Sequence, residues 1–395
     1  MTKPKPRKRL SPIFVIVLTV FIDITGYGII IPLLPFYTDE FQAGPAALGI
    51  LIASFAIMQF LFGPLLGRAS DKRGRKPILL LSLLLSLVGF TIFSFANSYL
   101  MLLFSRIIAG IATERAVAQA YIADVTDHKS RTKELGKIGA ALGAGFIIGP
   151  AIGGALSTYG YSIPGYAAMI LTVINILSVI AFLPEPQKNK ETIPETSLGY
   201  LRGIADSLKK PLLGPTLIIL FIVTVAFSTI PVIVPLLSID YFNFSSLELS
   251  FVFIYIGIVQ IVMQGFLIDA LSRRLGDDKL IALGPIVMAI GTILMPSFQN
   301  VVIFFIGNSL LAAGFGLINT SIPAFLSKRI ALNEQGSVLG IASSASSIAN
   351  IPGPLIIGFI YAFAGPFIPF LISAVILTAA FAIGCRVYKA CRILN

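Results

Sequence analysis

Charge is scarce in this sequence. Only 12% of its 395 residues are Asp, Glu, Lys or Arg, while 56% are hydrophobic. Ordinary soluble domains carry about 25% charged residues. A water-soluble fold could not hide this much apolar surface, so that class is excluded. Histidine and cysteine are almost missing too: His128, Cys385 and Cys391 are all there is. Two cysteines and one distant histidine do not make a metal site. Neither a nucleotide-binding loop nor a nucleophile beside a base is apparent, which argues against an enzyme. Acidic residues are outnumbered 18 to 29, for a net charge of +11. Such a surplus can mark a nucleic-acid binder, but its distribution points elsewhere.

Apolar runs of about 20 residues recur along the whole length, each long enough to cross roughly 30 Å of hydrocarbon. They predict twelve helices, near 12–37, 46–67, 77–97, 99–122, 136–158, 165–184, 213–237, 247–270, 279–297, 301–326, 336–360 and 365–386. The first is basic in front, like a signal peptide, but it is too long and has no small-residue cleavage site. It reads as a retained span. All but two of the 29 Lys and Arg then fall on one side of the membrane, and the opposite loops carry only acids such as Asp39, Glu40, Asp240 and Glu248. The positive-inside rule places both termini in the cytoplasm, where Cys385 and Cys391 would stay reduced. Short loops and the lack of appended domains suit a prokaryotic inner membrane. The triplet Asn243-Phe-Ser245 matches a glycosylation sequon, a pattern common by chance.

Residues 185–212 are the longest polar stretch and split the chain into blocks 1–184 and 213–395, six helices each. The blocks echo one another. Gly67-x-x-x-Asp71 followed by Lys72-Arg-Gly-Arg-Lys76 returns as Gly265-x-x-x-Asp269 followed by Arg273 and Arg274, 198 residues on. Gly149-Pro150 returns as Gly353-Pro354, 204 residues on. Six spans per half keep the same orientation, so the repeats are parallel. Such repeats place a substrate site between the halves near the bilayer midplane. The expected fold is an all-α integral membrane protein of two six-helix bundles.

Charges inside spans cost about 2.5–3.5 kcal/mol each on insertion scales. Four are present: Asp23, Arg106, Glu114 and Arg115. Two acids and two bases are neutral together, which limits the cost. On one continuous helix, at about 100° per residue, Gly110 lies about 40° and Glu114 about 80° from Arg106, with Arg115 about 180° away. Arg106 and Glu114 would share the cavity side, and Arg115 would be left to pair locally with Glu114. Asp23, near the middle of the first helix, suits proton carriage, because burial can bring a carboxyl towards neutrality. A purely structural buried pair is the competing reading. Tyr27, one turn on, would line the same cavity. The second half offers amides and aromatics instead: Phe227, Tyr255, Gln260, Gln264, Asn308, Asn319 and Asn350. An apolar cavity with scattered amides suits an amphipathic or aromatic ligand; ordinary inter-helix hydrogen bonding competes with that reading at each position. Gln119 completes the expected cavity lining in the first half.

Four stretches carry a resemblance. Gly67-Arg-Ala-Ser-Asp-Lys-Arg-Gly-Arg-Lys-Pro77 resembles the cytoplasmic loop signature of the major facilitator superfamily. Asp23-Ile-Thr-Gly-Tyr-Gly through Pro35 resembles the first helix of its twelve-helix drug:proton antiporters. Gly143 to Gly154 resembles their fifth-helix antiporter motif, with Gly145, Gly149, Pro150, Gly153 and Gly154. Arg106-Ile-Ile-Ala-Gly110, with Ala118 to Thr126, has the look of tetracycline-type exporters. The resemblance implies a proton-driven exporter of small lipophilic compounds, working as a monomer, with no cofactor beyond the proton gradient. It implies an Arg106–Asp23 pair; Glu114, read from the residues as a second titratable or cation-binding group, would share the proton work with Asp23, with Arg106 beside them in coupling. It implies a latch between the halves from Gly67, Asp71, Gly74 and Arg75, with Asp124 able to join Arg75. The glycine-rich fifth helix would pack across the domain interface. Glu114 and Arg115 depart from the family's usual small residues. Export of a sugar, metabolite or lipid by the same fold is the nearest alternative, and a membrane receptor or enzyme a more distant one.

Overall fold

A computed structural model describes residues 11–126, 128–186, 212–329 and 335–394. The expected linker at 185–212 lies almost entirely outside them. Hydrocarbon cannot satisfy backbone N–H and C=O groups, so a spanning segment must bond to itself as a helix, and every regular element among the described residues is a helix. The first half runs α1 (Pro12–Ile30), a 3-10 turn and α2 (Leu34–Glu40), α3 (Gly44–Arg73), α4 (Arg75–Ser94), α5 (Tyr99–Ile111), α6 (Glu114–Val125), α7 (His128–Ser157) and α8 (Ser162–Phe182). The second runs α9 (Leu213–Ser228), α10 (Ile230–Phe242), α11 (Ser246–Val262), a π-turn at Met263–Leu267, α12 (Ile268–Leu275), α13 (Asp277–Ser297), α14 (Val301–Arg329), α15 (Gln335–Ala349), α16 (Pro352–Ala364) and α17 (Phe367–Leu394).

Among the described residues, eleven helical stretches are long and apolar enough to cross a membrane. The span expected at 99–122 is the exception: it breaks into α5 and α6. Ala112 is extended (φ −65°, ψ 133°) and Thr113 leaves the helical region (φ −138°, ψ 49°). β-Branched Thr113 is a weak helix former, and the break makes Glu114 the first residue of a helix. The partial positive charge of a helix N-terminus favours a carboxylate there. Arg106 and Glu114 therefore lie on two separate helices, and the separation of about 80° expected on one continuous helix does not apply to them. The Asn243 triplet has a structural role: Ser245 Oγ accepts from the Glu248 N–H at 3.4 Å, and the Glu248 carboxylate accepts from the Ser245 N–H at 2.8 Å, a capping box.

Two compact units result. One holds the chain to Ile31 and from Ile57 to the end of α8; the other holds Pro32–Ala56 with the second half. Pro32–Ala56 joins the second unit through a glycine contact: a Cβ on Gly49 would lie 3.2 Å from Gly358 Cα on α16. Each unit has its own core. Val20, Leu83, Val117 and Tyr121 belong to the first, and Val223, Met288, Ile318 and Leu377 to the second.

Candidate functional site

The intramembrane charges of the first half gather around α1, α5 and α6. Arg106 and Glu114 are 1% and 3% exposed, so both are withdrawn from solvent. The Ser86 hydroxyl, on α4, donates to Glu114 Oε1 at 2.8 Å. Asp23 is half-buried on α1 and within electrostatic reach of Glu114. The Arg106 guanidinium carbon lies 5.4 Å from the centroid of the Tyr27 ring, a cation–π contact. No ion pair joins Asp23 to a basic side chain among the described residues, where the resemblance implied an Arg106–Asp23 pair; Tyr27 lies one turn further along α1. Tyr27 in turn meets Phe146 of α7 edge-on at 6.1 Å. Arg115 and Gln119 are exposed on one face of α6, one turn apart. Among the described residues no ion pair joins Arg115 to Glu114, the local pairing expected for it.

The glycine-rich helix packs inside its own half. A Cβ on Gly149 would lie 2.7 Å from the Thr25 carbonyl oxygen and 2.8 Å from Gly28 Cα, and one on Gly145 would lie 2.9 Å from the Ile24 side chain. Gly153 meets Ile29 in the same way, and Pro150 lies against Gly28. These contacts hold α7 against α1, the helix carrying Asp23, where the resemblance implied packing across the domain interface. Gly154 is buried beside them. The repeat is visible in three dimensions: Gly353 packs on Val225 and Ser228 of α9 as Gly149 packs on α1.

At the loop signature, Gly74 takes φ +108°, a value glycine tolerates. It turns the chain so that Arg75 reaches Asp71 at 2.5 Å and Asp124 at 2.6 Å. Ser70 Oγ accepts from Arg75 Nη1 at 2.7 Å. Glu185 was not legible as a partner, yet its carboxylate accepts from the N–H groups of Arg75 and Lys76 at 2.6 and 2.9 Å. All of these ties lie within the first unit. At Gly67 nothing outside its own helix backbone and chain neighbours lies, among the described residues, within 4 Å of where a Cβ would be.

A family model described as Major Facilitator Superfamily matches residues 16–281 and 216–390. The chain belongs to the Major Facilitator Superfamily. It is 32% identical to the class H tetracycline resistance protein of Pasteurella multocida over 89% of each chain. It is 30% identical to multidrug resistance protein 2 of Bacillus subtilis (strain 168) over 88% of each. Among solved structures it resembles the nucleoside transporter NupG, with a TM-score of 0.80 at 15% identity, covering 96% of this chain and 100% of that one. That likeness concerns the fold alone.

The second half of this superfamily member supplies apolar and amide surface. Phe227 of α9 stacks on Phe315 of α14, with centroids 3.6 Å apart and planes 9° from parallel. The Tyr255 hydroxyl and Ser309 Oγ are 2.5 Å apart, and Phe305 meets the Tyr255 ring edge-on. Gln260 is half-buried on α11, and half-buried Gln264 lies in the π-turn, a distortion frequent at functional sites. Asn319 is exposed on α14 and Asn350 at the end of α15. Asn308 is fully buried and donates to the Phe304 carbonyl one turn back at 2.9 Å, so it serves its own helix.

Proposed function

We propose that this chain is a proton-coupled exporter of small lipophilic or amphipathic compounds, working by alternating access. The observation that carries the reading is the pair of carboxyls, Asp23 and Glu114, held within electrostatic reach of each other, with Glu114 held by Ser86 and with Tyr27, one turn from Asp23, under the Arg106 guanidinium. Two neighbouring acids in a poorly solvated place repel one another, and one proton removes that repulsion. A cationic substrate relieves it too. Proton and substrate then compete for one charge, which is what obligatory exchange requires. Tetracycline and multidrug resistance proteins among the relatives favour the same class of cargo.

In this reading α5 and α6 together make the fourth of twelve spans, giving bundles at 1–184 and 213–395 joined by 185–212. Phe227, Phe315, Tyr255, Gln260, Gln264 and Asn319 are the substrate-contacting side chains of the second half, and Tyr27, Arg115 and Gln119 those of the first. The Arg75 network holds the α3–α4 turn to the end of α6. The protein works as a monomer in the inner membrane with both termini cytoplasmic. Purified protein in liposomes tests the class of activity. Under an imposed pH gradient, tetracycline or ethidium should drive proton flux that empty liposomes lack. Substrate flux indifferent to the gradient would contradict proton coupling.

A further inference from the structure

The two halves repeat a turn as well as a set of spans. Gly74 ends α3 and opens α4, with φ +108°; Gly276 ends α12 and opens α13, with φ +83°. Each missing Cβ leaves room for a carboxylate. A Cβ on Gly74 would lie 2.7 Å from Glu185 Oε1, and one on Gly276 would lie 2.7 Å from Asp278 Oδ1. In each half a serine four residues before the glycine holds the side chain just after it. Ser70 Oγ accepts from Arg75 Nη1 at 2.7 Å, and Ser272 Oγ donates to Asp277 Oδ1 at 2.5 Å. In each half that side chain then reaches the end of a later helix. Arg75 meets Asp124 of α6, and Asp277 meets Lys328 of α14, both at 2.6 Å. The plan is shared and the charges are exchanged.

Helix electrostatics account for the exchange. A helix N-terminus favours acids and disfavours bases. Asp277 and Asp278 open α13 and are favoured there. Arg75 opens α4 and is not, so an acid must be imported: Glu185 takes the two leading N–H groups. The same backbone turn can thus be built with either sign at the position after glycine.

We propose that Asp277, Lys328 and Ser272 form a second latch of inverted charge, which positions the α12–α13 turn against the end of α14 during the transport cycle. These are positioning residues and do not touch substrate. Asp277 is 8% exposed while the Lys328 side chain is 66% exposed, so Lys328 is the arm that can leave and return. A cavity of about 120 Å³ lined by Asp277, Asp278, Phe325, Lys328 and Arg329 lets water in beside the pair. An ion pair with one exposed partner adds little to static stability, so its effect belongs in the rate. The inference rests on the transport reading above.

A charge swap tests it. Full-length wild type, Asp277→Lys, Lys328→Asp and the double swap are reconstituted at equal amounts. Vmax and KM of tetracycline flux driven by a pH gradient are measured, with melting temperature alongside. Each single reversal should lower Vmax about fivefold or more with KM within twofold, and the double should recover at least half of the wild-type Vmax. If a reversal does not reach the membrane, Asp277→Asn and Lys328→Gln replace it. Each should lower Vmax, and the double neutral variant should be no slower than either. Single variants at wild-type Vmax, doubles that lose the two effects independently, or variants that lower only melting temperature would each overturn the latch. A wild type that moves no substrate would overturn the transport reading itself; a working wild type with no rescue sinks the latch alone.

Discussion

Glu114 is the residue that meets the charge of a cationic substrate in the function we propose. Its carboxylate is buried, opens α6 and is held by Ser86. Glu114→Gln keeps the acceptor oxygen and the shape while removing the charge. Flux of a lipophilic cation such as ethidium should fall about tenfold, equivalent to about 1.4 kcal/mol, and flux of a neutral substrate much less. Equal losses for both would mean that Glu114 does not meet the cation's charge. Gly149 makes a contrasting case, since what matters there is the lack of atoms. Gly149→Val places a side chain against Thr25 and Gly28, where a Cβ alone has 2.7 Å. Overpacking of this kind costs about 1–3 kcal/mol, so melting in detergent should shift several degrees downward; an unchanged melting temperature would contradict the α1–α7 contact. Both residues stand out in the sequence, Glu114 because charge in an apolar run is costly and Gly149 because it repeats at Gly353. Their partners do not. Ser86 is 28 residues from Glu114 and Glu185 is 110 from Arg75, and no local pattern links either pair.

At the scale of elements, spans were legible because hydrocarbon forces long apolar helices, and eleven of the twelve expected spans have a helical stretch of membrane length among the described residues. The break between α5 and α6 was not. Ala112 is the best helix former, and no proline or glycine occupies 112 or 113. The break follows from what surrounds it: a buried carboxylate that gains from a helix N-terminus and from Ser86. It can be tested with proline. Ala112 has φ −65°, the value proline prefers, and a substitution there gives up only the terminal N–H bond to Ala109. Ala112→Pro should keep more than half of wild-type abundance in the membrane. Ile107→Pro, inside α5, should lose most of it, since interior proline costs about 3 kcal/mol or more. Equal damage at the two positions would mean that the helix runs through.

For the whole molecule, the twofold plan was readable from repeated motifs, and the packing of Gly149 on α1 and Gly353 on α9 gives it physical content. The asymmetry is chemical. The first half keeps its charges in the membrane, and the second presents aromatic rings and amides. In the function we propose, proton work falls to the first half, through Asp23 and Glu114, and much of the substrate surface to the second. The measurement that bears on this most directly compares wild type with Asp23→Asn/Glu114→Gln in liposomes, using tetracycline in two assays. One reads accumulation driven only by a pH gradient, and the other reads exchange of labelled for unlabelled substrate with no gradient. The double variant should keep exchange within a few-fold of wild type and lose accumulation entirely. Accumulation by the double variant against a gradient, driven by ΔpH alone, would show that protons cross by another path.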